Sequence, residues 1–409
     1  MNRVTVFTLG GTISARGGDA TRMTGGEVLA GLGADRTAGA DAPGRAESAT
    51  DAAGAADSAG AADAADATGA TGAPGAETAA SAPTPASAPT PASAPTPASA
   101  PTPAPTPGPA STPAPAPHVE LRDFRRLPSS SLTLDDLAAL AHDVNEAVAA
   151  GSGVVVVQGT DTLEETAFLL DLLCETTRPV VVTGAMRRPD LPGADGPANL
   201  AAAITTAADP RCAGLGVLVV LADEIHAARL VRKTHTTSVA TFASPGTGPL
   251  GTVVEGEPRI LLRPAGTSAI HPLRFDPAVR VALVTLSLGD RGELLEAVDS
   301  RFDGLVLAAF GAGHVPGWLV DPLERLATRI PVVLASRTGA GATLTSTYRG
   351  PGSEHDLLTR GLIPAGPLDP AKARLLLQAL LSTGAKSPTG YDRPGITAAF
   401  THVTGAGLA

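Results

Sequence analysis

The chain is 409 residues long, carries a formal net charge of −10, and is 17% charged and 3% aromatic. Residues 37–117 hold no Phe, Tyr, Trp, Ile, Leu, Val or Met, so they have little apolar surface to offset the entropy of ordering. Seven acids against one Arg put that segment at −6 and the other 328 residues at −4, a mild acidity that speaks against a nucleic-acid partner.

In chain order, residues 3–8 alternate as a strand, and 25–32 suit a short helix. The opening MNRVTVFTLGG lacks the basic, apolar and small-residue pattern of a secretory leader, so a cytoplasmic location is expected. Segment 37–117 reads as a disordered Ala/Pro/Thr-rich insertion, and within it 81–104 repeats Ser-Ala-Pro-Thr-Pro-Ala, a semi-extended tether. Loop closure grows only logarithmically with length, so such an insertion costs a fold about one or two kcal/mol. Thr133-Leu134-Asp135-Asp136 starts like a capping box for an amphipathic helix reaching Val148. Val154–Val157 has the unbroken apolar run of a parallel strand buried on both faces. Then come a helix from Leu163 to Cys174, a strand at Pro179–Thr183, a helix near Pro197–Ala207 and a strand at Leu215–Leu221. After a less regular stretch over 222–278 come strands at Val281–Ser287, Gly304–Ala309 and Pro331–Ala335. They alternate with helices near Glu293–Asp299 and Trp318–Ala327, and a last helix spans Pro370–Leu381.

This pattern predicts an α/β protein of two domains with open parallel sheets. The larger, flavodoxin- or Rossmann-like domain takes 1–251, interrupted by 37–117; 252–278 is a linker, 279–385 a smaller α/β domain and 386–409 a tail. No run approaches membrane-spanning length. Cys174 and Cys212 are expected to be reduced and partly buried, too few for a disulfide framework or a zinc site.

Ligands of open parallel sheets bind outside the carboxyl ends of the strands. The segments leaving those strands are Leu9-Gly10-Gly11-Thr12-Ile13-Ser14, Gln158-Gly159-Thr160-Asp161-Thr162 and Thr183-Gly184-Ala185-Met186-Arg187, with Ser129-Ser130-Ser131 before the helix at 134. Small hydroxyl residues and one carboxylate thus gather on one rim. There is no G-x-G-x-x-G and no Walker lysine, so neither a dinucleotide nor a phosphate loop is indicated. Hydroxyl-based nucleophilic catalysis remains, and it needs an activator. The chain uses 27 Arg against three Lys (Lys233, Lys372, Lys386), and only lysine can readily lose its proton when desolvated. Lys233 is the candidate; Lys372 and Lys386 read as ordinary surface lysines.

These motifs, with Val182-Thr-Gly-Ala-Met-Arg187, Asp195-Gly-Pro-Ala-Asn-Leu200, Asp223-Glu-Ile-His-Ala-Ala-Arg229, Lys233-Thr-His-Thr-Thr237, Phe242-Ala-Ser-Pro and Gly248-Pro-Leu-Gly251, resemble the bacterial-type L-asparaginase family in order and spacing. The resemblance covers essentially the whole chain apart from 37–117 and the last two dozen residues. It implies hydrolysis of L-asparagine to L-aspartate and ammonia through a β-aspartyl ester, with no metal or organic cofactor. Thr12 resembles the acylated nucleophile on a mobile lid. Ser129, in Pro128-Ser129 where the family usually has Asp-Ser, falls where the substrate's α-carboxylate binds. Thr160 and Asp161 resemble the second threonine and the acid that grips the α-amino group, and Lys233 the lysine working with Thr160. Glu354 matches an acid supplied by a neighbouring subunit, which implies a homotetramer with shared sites. The alternatives are a glutamine-accepting amidohydrolase or amidotransferase component, and a non-catalytic amino-acid-binding module.

Each residue also has a plainer reading. Thr12 can serve as a turn residue, Thr160 and Thr162 as helix N-caps, Asp161 as a partner of the helix dipole, Ser129 as loop polarity and Glu354 as a surface acid. Asp195 and Asn199 are assigned to scaffold, His226 and His235 to structure, and Arg229 with Asp223 to an ion pair. The chain departs from the family in three places: the lid, 16–24, has no tyrosine; Gln158 stands for a usual histidine; and Gly311–His314 lacks a usual asparagine.

Overall fold

A computed structural model describes residues 3–10, 116–264, 270, 273–387 and 390–405. Thr12, the lid at 16–24, the expected helix over 25–32 and all of the 37–117 insertion except Ala116 and Pro117 lie outside the described residues. The first half contains β1 (Arg3–Thr8), β2 (His118–Asp123), α1 (Leu134–Ala149), β3 (Gly153–Val157), α2 (Leu163–Leu173), β4 (Val180–Thr183), α3 (Gly196–Ala208), β5 (Val217–Leu221), β6 (Glu224–Ala227), β7 (Arg232–Lys233), β8 (Phe242–Ala243), β9 (Gly251–Val254) and β10 (Glu257–Ile260). The second contains β11 (Val281–Thr285), α4 (Glu293–Arg301), β12 (Gly304–Ala309), α5 (Val320–Ala327), β13 (Val332–Ser336), α6 (Glu354–Thr359), β14 (Ile363–Pro364), α7 (Pro370–Leu380), β15 (Lys386–Ser387), β16 (Gly390–Tyr391) and α8 (Arg393–Gly405).

The predicted α/β class is the one observed, and the capping box at Thr133 forms as expected, with the Asp136 amide donating to Thr133 Oγ1 and Asp136 accepting from the Thr133 amide. The large sheet runs β10-β9-β6-β5-β4-β3-β1-β2 and the small one β11-β12-β13-β14. Only the small sheet is wholly parallel. In the large one β2, β1, β3, β4 and β5 are parallel, whereas β6, β9 and β10 join antiparallel. Both hairpin turns there carry non-glycine residues at positive φ, Ala222 (51°) and Asp223 (61°) after β5 and Glu255 (55°) after β9. Those turns lack the Asn-Gly signature, and β6, β9 and β10 are short strands of mixed polarity, so an apolar run marks the buried parallel strands and not these. β2 is likewise an edge strand of mixed polarity, and its sequence does not predict a strand.

The two halves share core. One hydrophobic cluster contains Phe7, Val156 and Phe168 together with Val306, Leu376 and Phe400, and α2 packs directly on α7. The expected tail after 385 is corrected by α8, which buries Ile396, Phe400 and Val403. Their i, i+4, i+7 spacing is a helical stripe, diluted in sequence by neighbouring Gly, Thr and Ala. The Tyr391 hydroxyl, donating to the Ala327 carbonyl at 2.7 Å, fastens the approach to that helix. Cys174 and Cys212 are both free and buried, and burial pushes the Cys212 thiol up to about 12. No helix among the described residues is long and apolar enough to cross a membrane.

Candidate active site

The site forms where β1 and β3, parallel neighbours, end on the same rim. The Leu9 amide donates to the Val157 carbonyl at 2.9 Å, and the chain leaves β1 through Gly10 at φ 96°, which a side chain would resist. Gly10 is the last described residue before Thr12. After β3, Gln158 through Thr162 turn into α2, and the loop after β4 comes so close that a Cβ at Gly184 would lie 2.5 Å from the Gln158 carbonyl oxygen.

The sequence places Thr160, Asp161, Ser129 and Lys233 together, and the structure brings all four into contact. Lys233 Nζ donates to Thr160 Oγ1 at 2.9 Å and to Asp161 Oδ1 at 3.4 Å. Ser129 lies in a single 3-10 turn over Ser129–Ser131; its Oγ accepts from the Asp161 amide at 3.2 Å, and its carbonyl accepts from Thr162 Oγ1 at 2.9 Å. Thr162 therefore stands at the N-cap position of α2 but does not cap it; its hydroxyl ties the helix start to the Ser129 turn. Thr160 and Ser129 are buried, whereas the Asp161 side chain is 67% exposed and so is available to a ligand.

The scaffold residues behave as expected. Asp195 accepts from the Met186 and Arg187 amides, and Asn199 joins the Gly184 carbonyl, Asp195 and the Ala222 amide. His226 is buried beside Ser244 and Glu224; burial holds its pKa below the usual histidine value although Glu224 pulls the other way. His235 accepts two amides of its own turn. The ion pair expected between Arg229 and Asp223 is corrected: Arg229 faces Asp171 at 3.8 Å, both side chains buried, while Asp223 sits in the hairpin turn after β5.

Glu354 opens α6 and is fully buried. Its Oε1 accepts from the Thr347 and Tyr348 amides at 2.9 and 2.8 Å, and its Oε2 meets His314 Nε2 at 3.1 Å. Burial alone would raise its pKa, but the Tyr348 amide, its own amide, His314 and the Thr347 amide outweigh that and hold it below the usual carboxylate value. Within one chain these bonds turn Glu354 toward its own loop, and no described hydrogen bond joins it to the Lys233 cluster.

Two residues near the cluster escape the sequence. Lys372, a surface lysine by its sequence, is 1% exposed, with Nζ donating to the Ala228 and Val231 carbonyls at 2.8 and 2.5 Å. Burial pushes its pKa down to about 8. The scarcity of lysine that singles out Lys233 applies equally to Lys372. Glu164, in the first turn of α2, accepts the Lys233 amide, and burial raises its pKa. A cavity of about 240 Å³ lies behind this strand, lined by Arg232, Ser336, Thr338, Asp369 and Lys372; Thr160 and Asp161 are not in its wall.

A sequence model described as "Asparaginase, N-terminal" matches residues 3–265, and one described as "Glutaminase/Asparaginase C-terminal domain" matches 280–390. The chain belongs to the asparaginase family. Family relatives include a probable L-asparaginase of Deinococcus radiodurans, 40% identical over 263 residues, which is 63% of this chain and 80% of the relative. L-asparaginase 2 of Escherichia coli is 38% identical over 256 residues, 61% of this chain and 71% of that one. A glutaminase-asparaginase of Acinetobacter glutaminasificans is 33% identical over 268 residues, covering 63% and 79% respectively.

Proposed function

We propose that the protein is an L-asparaginase, hydrolysing L-asparagine to L-aspartate and ammonia with Thr12 as nucleophile. The observation that carries the reading is the Lys233–Thr160–Asp161 contact on the rim where β1 delivers the chain toward Thr12. In this reading the Thr12 oxygen bonds to the side-chain amide carbon while its proton passes into the hydrogen-bonded Thr160–Lys233 relay. The tetrahedral intermediate then expels nitrogen, which takes the proton and leaves as ammonia, with a β-aspartyl ester on Thr12. Water, activated by the same relay, cleaves the ester and restores the hydroxyl. Asp161 binds the substrate ammonium and Ser129 the α-carboxylate, and Glu354 of a neighbouring subunit completes the ammonium site in a homotetramer. A cytoplasmic location, a spacer role for the insertion 37–117 and a smaller domain beginning at 279 belong to the same reading.

A second reading, acceptance of glutamine, is favoured by the relative named glutaminase-asparaginase and by the description of the C-terminal family model. Ammonia release from asparagine and from glutamine, beside calorimetric binding of aspartate, tests both. Turnover of asparagine supports the proposal, and comparable turnover of glutamine broadens it. Aspartate binding without ammonia above background overturns it in favour of a binding module.

A further inference from the structure

Lys233 ends a strand of only two residues, β7, paired to the equally short β8. So brief a ladder offers the backbone little support, yet a side-chain relay needs its amine placed to within a fraction of an ångström. The support comes from charged side chains. Glu164 gives a carboxylate oxygen to the Lys233 amide, and Glu164 lies in the same helix start that carries Thr160 and Asp161. Lys233 is thus held at two points, its backbone amide to Glu164 in α2 and its Nζ to Thr160 in the turn that leads into α2.

Behind it, Lys372 of α7 binds the two carbonyls, Ala228 and Val231, of the turn that leads into β7, with its Nζ 5.9 Å above the Phe168 ring. Burying an ammonium on neutral carbonyls is costly, and a Leu or Met of similar volume would pack there more cheaply. Arg232, between the turn and Lys233, pairs with Asp369 at 3.0 Å, and Asp369 in turn caps α7. Residues 228–233 are therefore held by both α2 and α7, which themselves pack together.

We infer that Glu164 and Lys372 are positioning residues for the reaction: together they hold segment 228–233 where Lys233 Nζ meets Thr160 Oγ1. This rests on the proposed role of Lys233 as relay amine. Among the described residues no hydrogen bond joins either to Ser129, Thr160 or Asp161, so their loss should appear in turnover and not in ligand affinity.

The test compares Glu164→Ala, Glu164→Gln and Lys372→Met, each alone and combined with Lys233→Met. Glu164→Ala should lower kcat on asparagine by about 10- to 100-fold with KM within about 3-fold, and Glu164→Gln, which keeps an acceptor oxygen, should recover to within about 5-fold of wild type. Lys372→Met should lower kcat by about 10-fold, again with KM little changed. On a Lys233→Met background neither should add a further loss, because there is no relay amine left to misplace. Normal kcat in Glu164→Ala and Lys372→Met, equal losses in the Ala and Gln variants, or a further loss on the Lys233→Met background overturns the inference.

Near-normal turnover in Lys233→Met defeats the relay reading instead. Amide hydrogen exchange then decides the positioning role without reference to activity. Faster exchange across 228–233 in Glu164→Ala, with the β3 amides at 153–157 unchanged, supports it, and unchanged exchange at 228–233 overturns it. Should Lys372→Met not fold, the Glu164 variants carry the whole test.

Discussion

Two acids assigned by resemblance to the same ligand group occupy opposite environments. Asp161 presents a side chain that is 67% exposed and has Lys233 at 3.4 Å, whereas Glu354 is fully buried and holds two backbone amides and a histidine. An exposed carboxylate is free to bind a ligand and costs the fold little to lose. A buried one with three donors organises its surroundings, here the loop at 347–348 and the ring of His314, which also stacks edge-on against Tyr348 at 4.8 Å. Shared chemistry and a shared assigned role therefore do not imply shared structural duty. If Glu354 reaches a substrate in a neighbouring subunit, it does so as part of a preformed cluster.

The largest effect should come from the cluster that Asp161 belongs to. Lys233→Met and Lys233→Arg should each lose on the order of 10²–10⁴ in kcat with far less change in aspartate binding, measured by ammonia release and calorimetry. Near-normal turnover in Lys233→Arg would make Lys233 a structural cation and leave Asp161 without a catalytic neighbour.

The two acids themselves should then separate. Glu354→Ala strands two loop amides and should cost about 1–3 kcal/mol in denaturant unfolding, while Asp161→Ala should stay within about 0.5 kcal/mol and instead weaken aspartate binding. The pH dependence comes from the direction of the shift. Glu354 has a folded pKa below its unfolded value, so its contribution is present above the unfolded pKa and is lost as pH falls through the folded one. The stability gap between wild type and Glu354→Ala should therefore narrow toward acid; a gap that stays constant would mean the carboxylate's charge is irrelevant.

Lys372 offers the same sign of slope at the other end of the pH scale, there because the charged form is the one that folding disfavours. Its pKa falls from 10.5 to about 8 on folding, so between those values the unfolded chain binds more protons and stability should rise with pH. Urea unfolding of wild type against Lys372→Met across that window should show wild type gaining by about a kcal/mol or two; a flat difference would place Lys372 in a wetter setting than the one described. The smallest effect belongs to the insertion: deleting 37–117 should leave Tm and activity nearly unchanged, and a large fall in Tm would show that the segment supports the fold.

Local chemistry made part of the fold legible in the sequence. The valine run at 154–157, the helix start at Thr133 and the rim segments at 129–131, 158–162 and 183–187 stand where their residues predict, because buried parallel strands are uniformly apolar and caps form between near neighbours. The antiparallel strands β6, β9 and β10, strand β2 and helix α8 are not legible in this way, because short strands of mixed polarity and diluted helical stripes carry weak periodicity. The burial of Lys372 is hidden for a different reason: it depends on carbonyls that a distant part of the chain supplies, those of Ala228 and Val231.

By itself, then, the sequence determined the α/β class and, through motifs that resemble a family, the group Ser129, Thr160, Asp161 and Lys233; Thr160 and Asp161 are legible a second way, since a parallel sheet delivers to its carboxyl rim the residues that follow its strands. Only the tertiary structure decided that Glu354 is turned inward, that Arg229 faces Asp171, and that Glu164 and Lys372 grip the segment bearing Lys233. Those facts depend on contacts between residues far apart in sequence, where burial and the geometry of the partner, and not the residue's own chemistry, set what a charged group does.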